Sequence, residues 1–374
     1  MIYRNFGKTN KKISVISFGG MRFEDQKNID ACAELIYEAY RSGINYFDTA
    51  PGYGDSEKIY GTAFQKLIKD FGRNSFMVAT KTGAKSIENV RKDIEESLKR
   101  LNLDFIDFYY VWCVMSFEDF EYRRKNGVID EFIKLHEEGL IKNISISTHM
   151  NGQEIEKTLN EFDFSSILLG YSAMNFNYRD KGIEAAHKKN IGTVVMNPLG
   201  GGLIPQNPHI FSFLKTQKNE SVTEAALRFL IDDIRINSSL VGFSNQKQLK
   251  EAINAVNGYK KISPEEKLRI KNNIKNAFNE MCTSCGYCDS CPQNIPIPKL
   301  MDTYNYYLMS DRKSESIINR LKWHWSIKSD DPILRSCVEC KKCEKLCTQK
   351  LPIIERIKTI KNIADKAVSE NPKT

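Results

Sequence analysis

FMVATKTG, residues 76–83, is a short apolar run rich in strand-forming residues, and it ends close to a lysine, Lys81. Residues 44–50, INYFDTA, precede it and have the same character, with Asp48 near their end. Short runs that are apolar almost throughout are typical of parallel strands buried on both faces. A polar segment long enough for a helix separates the two runs, so this region predicts a strand–helix–strand unit.

The same unit repeats along the first 275 residues. Six more strand-like runs occupy residues 13–20, 106–113, 143–149, 166–172, 193–199 and 238–244. Helical patterns lie between them, including an apolar stripe of Val90, Ile94, Leu98 and Leu101 and capping boxes that begin at Ser221 and Ser263. Eight such units predict an α/β fold, a (β/α)8 TIM barrel, with an open doubly wound sheet as the alternative. No G-x-G-x-x-G follows the first strand, which disfavours a Rossmann dinucleotide site.

Enzymes with this barrel collect their chemistry at the carboxyl ends of the strands. The polar and reactive residues at those ends, or in the loop after the second predicted strand, are Asp48, Tyr53, Lys81, Trp112, Cys113 and His149.

Two cysteine runs follow the predicted barrel. CTSCGYCDSCP (282–292) spaces its four thiols by two residues each, and CVECKKCEKLC (337–347) spaces them by two, two and three. Clustered thiols in a cytosolic chain indicate metal ligands rather than disulfides. Structural zinc usually takes two separated C-x2-C pairs, so this even spacing favours iron–sulfur clusters over zinc.

The runs are similar to those of two-cluster ferredoxins, in which the fourth cysteine of each run ligates the other cluster. That similarity implies two [4Fe–4S] clusters, one held by Cys282, Cys285, Cys288 and Cys347 and the other by Cys337, Cys340, Cys343 and Cys291. We therefore expect a barrel over residues 1–275 and a mostly α-helical ferredoxin-like domain over residues 276–374.

The composition excludes several other classes of protein. The 374 residues are 41% hydrophobic and carry a net charge of +8, with no concentrated basic arm, so nucleic-acid binding is disfavoured. No apolar run reaches membrane-spanning length, and the first residues lack the apolar stretch of a signal peptide. We expect a cytoplasmic protein that does not bind membranes.

Several motifs resemble those of the aldo-keto reductases: NYFDTAPGYGDSEKIYG (45–61), VATKTG (78–83), VVMNPLGGGLI (194–204) and SLVGFSNQKQLKEAI (239–253). The cysteine runs resemble those of the branch of that family with a C-terminal ferredoxin-like domain. The resemblance implies an oxidoreductase that acts on a carbonyl or alcohol substrate with NADP(H).

The implied catalytic roles agree with the chemistry of the side chains. Tyr53 would donate a proton to the forming alkoxide, and an ammonium at Lys81 would lower the pKa of that phenol. Asp48 would fix the position and charge of the lysine. The family's histidine at the end of the fourth strand is replaced by Trp112, whose indole donates one hydrogen bond but cannot shuttle a proton. His149, with Cys113, is a candidate to compensate.

The resemblance also implies where the nicotinamide cofactor binds. Contacts to its amide fall near Ser147, Thr148 and Ser166, and Met196 replaces the usual stacking aromatic. Glycine-rich backbone suits a pyrophosphate, and a helix N-terminus suits a phosphate. The predicted cofactor-binding residues are Ser147, Asn197, Leu199, Gly200, Gly242, Ser244, Asn245 and Gln248.

A hydride carries two electrons, whereas each cluster takes one, and a flavin usually converts between them. Three functions remain open at this point. The first is an NADPH-dependent oxidoreductase whose clusters transfer electrons, with a flavin as a candidate further cofactor. The second is a reductase driven by a ferredoxin or flavodoxin partner, without nicotinamide. The third is a non-enzymatic redox relay or sensor. The oligomeric state is open in all three.

Overall fold

The computed structural model of the chain describes residues 1–174, 176–274, 278, 280–283 and 285–370. Its strands are Tyr3–Asn5 (β1), Lys12–Ser14 (β2), Ile16–Gly19 (β3), Tyr46–Asp48 (β4), Met77–Thr82 (β5), Ile106–Val114 (β6), Ile141–Thr148 (β7), Ser166–Gly170 (β8), Gly192–Met196 (β9) and Ser238–Gly242 (β10).

The α-helices of the first 273 residues are Ile29–Arg41 (α1), Ser56–Phe71 (α2), Ile87–Leu101 (α3), Phe117–Lys125 (α4), Val128–Glu137 (α5), Gly152–Glu161 (α6), Asp180–Lys188 (α7), Leu203–Gln206 (α8), Val222–Ile231 (α9), Gln246–Asn257 (α10) and Pro264–Asn273 (α11). Those that follow are Ile297–Met309 (α12), Ser314–Asn319 (α13), Lys342–Leu346 (α14) and Ile353–Glu370 (α15). Both predicted capping boxes are present, because Ser221 pairs with Glu224 and Ser263 with Glu266.

Strands β3 to β10 form a closed parallel barrel in the order β10-β3-β4-β5-β6-β7-β8-β9. The predicted barrel and its eight strands are confirmed. The first predicted strand, residues 13–20, is divided: β2 pairs with β1 in an antiparallel hairpin, and β3 enters the barrel. On α3, Leu98 is only half-buried and Ser97 takes its place in the buried face.

The N-terminal hairpin leads into the interior of the barrel through Phe6. This side chain is fully buried, and its ring lies 5.0 Å from the ring of Phe108 and 5.8 Å from that of Tyr46. A Cβ atom at Gly192 would lie 2.4 Å from the Phe6 ring, so only glycine fits there. Close apolar packing of this kind fixes the positions of the strands. The side chains at the carboxyl ends of the strands are therefore held in place.

The chain divides into two compact units, Met1–Gly200 with Ile204–Asn272, and Gly201–Leu203 with Asn273–Thr374. The predicted domain boundary between residues 275 and 276 lies outside the described residues. In the described part of the second unit the regular structure is helical. Across the part of the chain that the structure describes, no helix is both long enough and apolar enough to span a bilayer.

Candidate active site and cluster-binding cysteines

A buried ion pair lies at the carboxyl ends of two neighbouring barrel strands. Lys81 Nζ on β5 donates to Asp48 Oδ1 on β4 at 2.5 Å and to the Thr49 carbonyl oxygen at 2.6 Å. Both charged side chains are almost completely buried. Burial lowers the pKa of Lys81 and raises the pKa of Asp48, and each partner opposes the shift in the other. The pair therefore depends on mutual contact to keep both charges inside the protein.

Tyr53 lies beside this pair, on the loop between β4 and α2. The Lys81 ammonium is 5.1 Å from the centroid of the Tyr53 ring, within the range of a cation–π contact. Gln26 holds the loop from outside: its Nε2 donates to the Tyr53 carbonyl oxygen at 3.0 Å, and its Oε1 accepts from the Asp55 amide at 2.7 Å. The structure thus brings together the tyrosine, lysine and aspartate that the sequence singled out.

Trp112 completes the aromatic side of this group. Its ring meets the Tyr53 ring edge to face, with centroids 5.9 Å apart and an interplanar angle of 90°. A Cβ atom at Gly52 would lie 2.7 Å from the indole, and one at Gly83 would lie 3.7 Å from it. A side chain at position 52 would therefore displace the indole, whereas a Cβ atom at position 83 would only be in ordinary contact with it.

A break in the pairing of β6 with β7 lies beside this tryptophan. The register between β6 and β7 shifts between Val111 and Val114, and Cys113 has a φ of +58°, which is uncommon for a residue other than glycine. Nothing in the run YYVWC indicates such a break, so it could not be predicted from the sequence. The irregular backbone therefore lies directly beside Trp112.

His149 follows β7 and is buried, with 3% of its surface exposed. Its amide donates to the Val114 carbonyl oxygen at 3.0 Å, and its own carbonyl accepts from Arg179 Nη2 at 3.1 Å. The half-buried Cys113 lies with its sulfur 3.7 Å from the sulfur of Met115. His149 is thus held firmly at the end of its strand, but a proton-relay role for it remains a prediction.

Of the three residues predicted to lie near the nicotinamide amide, two have their hydroxyl groups hydrogen-bonded within the protein. Ser147 is buried in β7, while the Thr148 hydroxyl donates to the Val114 carbonyl oxygen on the neighbouring strand β6 and accepts from the Met150 amide. Ser166 begins β8, and its hydroxyl is in contact with those of Tyr110 at 2.9 Å and Ser145 at 2.7 Å. That hydroxyl belongs to a hydrogen-bonded chain inside the barrel.

The predicted phosphate residues gather at the end of β10 and the start of α10. Asn245 caps the helix by accepting from the Gln248 amide at 3.1 Å, and the Gln248 side chain accepts from the Ser244 amide at 2.9 Å. Arg22, which the sequence analysis did not select, packs against this turn: a Cβ atom at Gly242 would lie 2.7 Å from its Cγ. The arginine belongs to a loop after β3, and its proximity follows only from closure of the barrel.

The glycine-rich turn after β9 has the backbone conformation that a close approach requires. Asn197 has a φ of +56° and Gly200 one of +62°, and the Gly200 amide donates to the Asn197 carbonyl oxygen at 2.9 Å. Leu199 lies half-buried between them. These residues and those of α10 follow β9 and β10, while the Tyr53 group follows β4 and β5 at the same end of the barrel.

In the second unit, the eight cysteines of the two runs form two sets. One small cavity is lined by Cys282, Cys285, Cys288 and Cys347, and a separate one by Cys291, Cys337, Cys340 and Cys343. These are the two sets that the ferredoxin similarity implied, including the exchange of the fourth cysteine of each run. Among the described residues, no group of three or more His, Cys, Asp or Glu side chains is arranged to hold a single metal ion. Four thiolates can ligate either one zinc ion or a four-iron cluster, and the absence of a single-ion arrangement among the described residues favours the cluster.

Burial and neighbouring thiols make Cys288 and Cys343 poor acids without metal. Burial, together with the nearby Cys285 and Cys347, raises the pKa of Cys288 to about 12. Burial likewise raises the pKa of Cys343 to about 11. Metal ligation must therefore displace protons from these thiols, because the thiolate is the ligating form.

Comparison with known proteins establishes the class to which this barrel and cysteine-rich unit belong. The pattern of the Aldo/keto reductase family matches residues 15–274, and that of the 4Fe-4S dicluster domain matches residues 281–353. The chain belongs to the aldo/keto reductase family. It is an oxidoreductase whose barrel is followed by a 4Fe–4S dicluster domain.

The similar proteins cover mainly the barrel. L-galactose dehydrogenase of Arabidopsis thaliana is 30% identical over 288 residues, covering 68% of this chain and 87% of that protein. NADH-specific methylglyoxal reductase of Escherichia coli is 28% identical over 209 residues, covering 50% of this chain and 62% of that protein. The solved holo form of the aldo-keto reductase AKR11C1 of Bacillus halodurans superposes with a TM-score of 0.62 at 22% identity, covering 74% of this chain and 97% of that one, which supports the fold.

The cysteine sets lead to a prediction about metal content. Protein prepared without oxygen should contain about eight iron and eight acid-labile sulfide per chain, since each of two four-iron clusters needs four of each. Serine at Cys340, a ligand of the second set alone, should impair one cluster and leave the four iron of the other. Stoichiometric zinc without sulfide would contradict this interpretation.

Proposed function

We propose that the barrel reduces a carbonyl group, or oxidises the corresponding alcohol, with NADP(H), and that the dicluster domain transfers electrons to or from that site. The observation that carries this proposal is the fully buried Lys81–Asp48 pair next to the Tyr53 ring. A barrel kept only as a scaffold gains nothing from this arrangement, since a buried ion pair is often no more stabilising than apolar residues of the same size. The pair is better explained by catalysis.

Each residue of the group has a distinct task in this proposal. Tyr53 donates its phenolic proton to the substrate oxygen as negative charge develops there. Lys81 keeps a positive charge beside the phenol, which favours the phenolate left behind. Asp48 holds the ammonium in place and keeps it protonated, offsetting the burial that lowers its pKa. A bound nicotinamide would supply the hydride.

Trp112 shapes the substrate pocket. Its indole lies edge to face with Tyr53 and packs against Gly52, so it presents a rigid aromatic wall beside the proton donor. An indole N–H can donate one hydrogen bond to a substrate oxygen, but it cannot exchange a proton. We therefore assign Trp112 to substrate orientation and leave proton donation to Tyr53, with His149 as a candidate further catalytic residue.

The cofactor phosphates would lie at the start of α10. The cap made by Ser244, Asn245 and Gln248 orders the helix N-terminus, and the exposed Arg22 packs against the same turn. Free amides at a helix N-terminus and a nearby guanidinium both favour a phosphate. Gly242, Asn197, Leu199, Gly200 and Ser147 complete the proposed contacts.

Binding measurements test this assignment. Arg22→Gln should weaken NADPH binding by about tenfold, or about 1.4 kcal/mol, because a charged contact to phosphate is lost. Binding of NADH should change less if the arginine contacts the additional phosphate. Lys99→Gln, which removes an exposed charge from the last turn of α3, is the matched control for net charge. Equal NADPH affinity in the native protein and the Arg22 variant would contradict the phosphate site.

The clusters constrain how electrons are exchanged. A hydride delivers two electrons at once, and each cluster accepts one, so exchange between them needs a converter such as a flavin. Flavin in the purified protein is therefore part of the test, measured by fluorescence after denaturation.

A second candidate function follows from the altered site. With tryptophan at position 112, the barrel differs from an ordinary carbonyl reductase, which favours a reductase that receives single electrons from a ferredoxin or flavodoxin. Turnover that requires such a carrier and is unaffected by NADPH would favour this alternative.

A further inference from the structure

Arg356 is a buried cation in the dicluster domain that the proposed function does not use. It lies on α15 with only 2% of its surface exposed. Its guanidinium carbon is 4.6 Å from the centroid of the Tyr304 ring on α12. Asn305, next to that tyrosine, accepts from the Cys282 amide at 2.8 Å and donates to the Cys282 carbonyl oxygen at 2.9 Å. The arginine is thus packed against the helix that holds the first cysteine.

A second connection runs through α15 itself. Ile353, one turn before Arg356, lines the cavity of the first set together with Cys347. The Leu351 amide, just before the helix, lies 3.4 Å from the Cys347 sulfur, as a donor to it. Cys282 and Cys347 both belong to the first set, so the helix that carries the guanidinium and the helix against which it packs both contact ligands of the same proposed cluster.

The protein gives this charge little compensation of its own. The carboxylate of Glu280 is 3.8 Å away, and that side chain is 61% exposed, so water screens the pair. Among the described residues, Nη1 of Arg356 is buried without a hydrogen-bond partner. Burial lowers the pKa of Arg356, while Tyr304, Glu280, Cys282 and Cys347 oppose that shift. A buried, incompletely paired guanidinium is costly unless an anion stabilises it.

The second set of cysteines has different surroundings. Cys340 is exposed, and Cys291, Cys337 and Cys343 are half-buried. The cations that line its cavity, Lys341 and Lys342, are exposed, so water screens their charges. The two sites therefore differ in the strength of the positive field that the protein applies to them.

We propose that Arg356 is the counter-charge of the cluster held by the first set, and that it raises the reduction potential of that cluster relative to the other. One-electron reduction adds one negative charge to the iron–sulfur core and its thiolates without making or breaking a bond. A buried positive charge stabilises that added electron, because little water intervenes. The proposal rests on the ligand assignment given above, which iron and sulfide analysis tests separately.

The test is a redox titration with dithionite, followed by electron paramagnetic resonance, on protein that contains both clusters. In Arg356→Gln, reduction of the first cluster should become at least about tenfold less favourable, a fall of about 59 mV for one electron. The other reduction wave should stay in place. Cys340→Ser identifies that other wave, since it alters only the second set.

Two further variants separate charge from packing. Arg356→Lys keeps the charge, so the first potential should stay near its native value. Lys358→Gln removes one charge from the same helix, but this side chain is 55% exposed, so the first potential should not move. An unchanged first potential in Arg356→Gln with full iron content would overturn the proposal. If Arg356→Gln loses iron, the comparison rests on Arg356→Lys. A native reduction potential of the first cluster in Arg356→Lys supports the charge effect, and a fall of about 59 mV overturns it.

Discussion

Replacing Tyr53 with phenylalanine should lower the turnover of a carbonyl substrate by roughly 10²–10⁴-fold, the usual contribution of general acid catalysis. The ring would keep its edge-to-face contact with Trp112 and its contact with the Lys81 ammonium, so the fold and the clusters should be unaffected. Only the proton donor is removed. The measurement is steady-state turnover, together with iron content and NADPH affinity, for the native and variant proteins.

Tyr122→Phe is the matched control, because this tyrosine is 54% exposed on α4 and should tolerate loss of its hydroxyl. The turnover of the Tyr122→Phe variant should equal that of the native protein. A Tyr53→Phe variant with native turnover would show that the barrel does not use this phenol as an acid. The relay or sensor function would then gain support, because a binding module needs no proton donor.

Replacing Lys81 with methionine should cost about 3–5 kcal/mol in the free energy of unfolding at neutral pH, and abolish most turnover. The reason is that Asp48 would remain buried without the ammonium that compensates its charge. Chemical denaturation of the native and variant proteins measures the difference. Lys58→Met is the matched control: its pair with Asp55 is exposed at both ends, and such pairs contribute at most about 1 kcal/mol.

The stability deficit of Lys81→Met should depend on pH in a definite direction. Burial raises the pKa of Asp48, and without Lys81 nothing in the pair opposes that shift. A carboxyl whose folded pKa lies above its unfolded value stabilises the folded state at low pH and loses that contribution as pH rises. The deficit should therefore be smaller near pH 5 than near pH 8. A deficit that grows on acidification would contradict this account of the pair.

The sequence was most informative where local pattern and fold coincide. The apolar runs that become β3 to β10 carry the parallel-strand pattern on their own, and the capping boxes at Ser221 and Ser263 mark helix starts through local chemistry. Asp48, Tyr53 and Lys81 could be selected because strand ends meet at one end of a barrel.

What the sequence did not reveal depends on contacts between distant segments. Trp112 packs against Gly52 beside the backbone irregularity at Cys113. Nothing in the local sequence YYVWC predicts the positive φ of Cys113. Arg22 reaches the start of α10 only because β3 and β10 pair when the barrel closes. The division of residues 13–20 into β2 and β3 likewise depends on pairing with β1, which lies outside that run.

An anaerobic titration with NADPH, followed by the visible absorbance of the clusters, tests most directly whether the barrel and the dicluster domain act as one enzyme. We expect NADPH to bleach the cluster absorbance, and the Arg22→Gln variant to require more NADPH for the same bleaching. Clusters that stay oxidised with saturating NADPH, while dithionite reduces them normally, would contradict it, and would leave a ferredoxin or flavodoxin as the donor to examine.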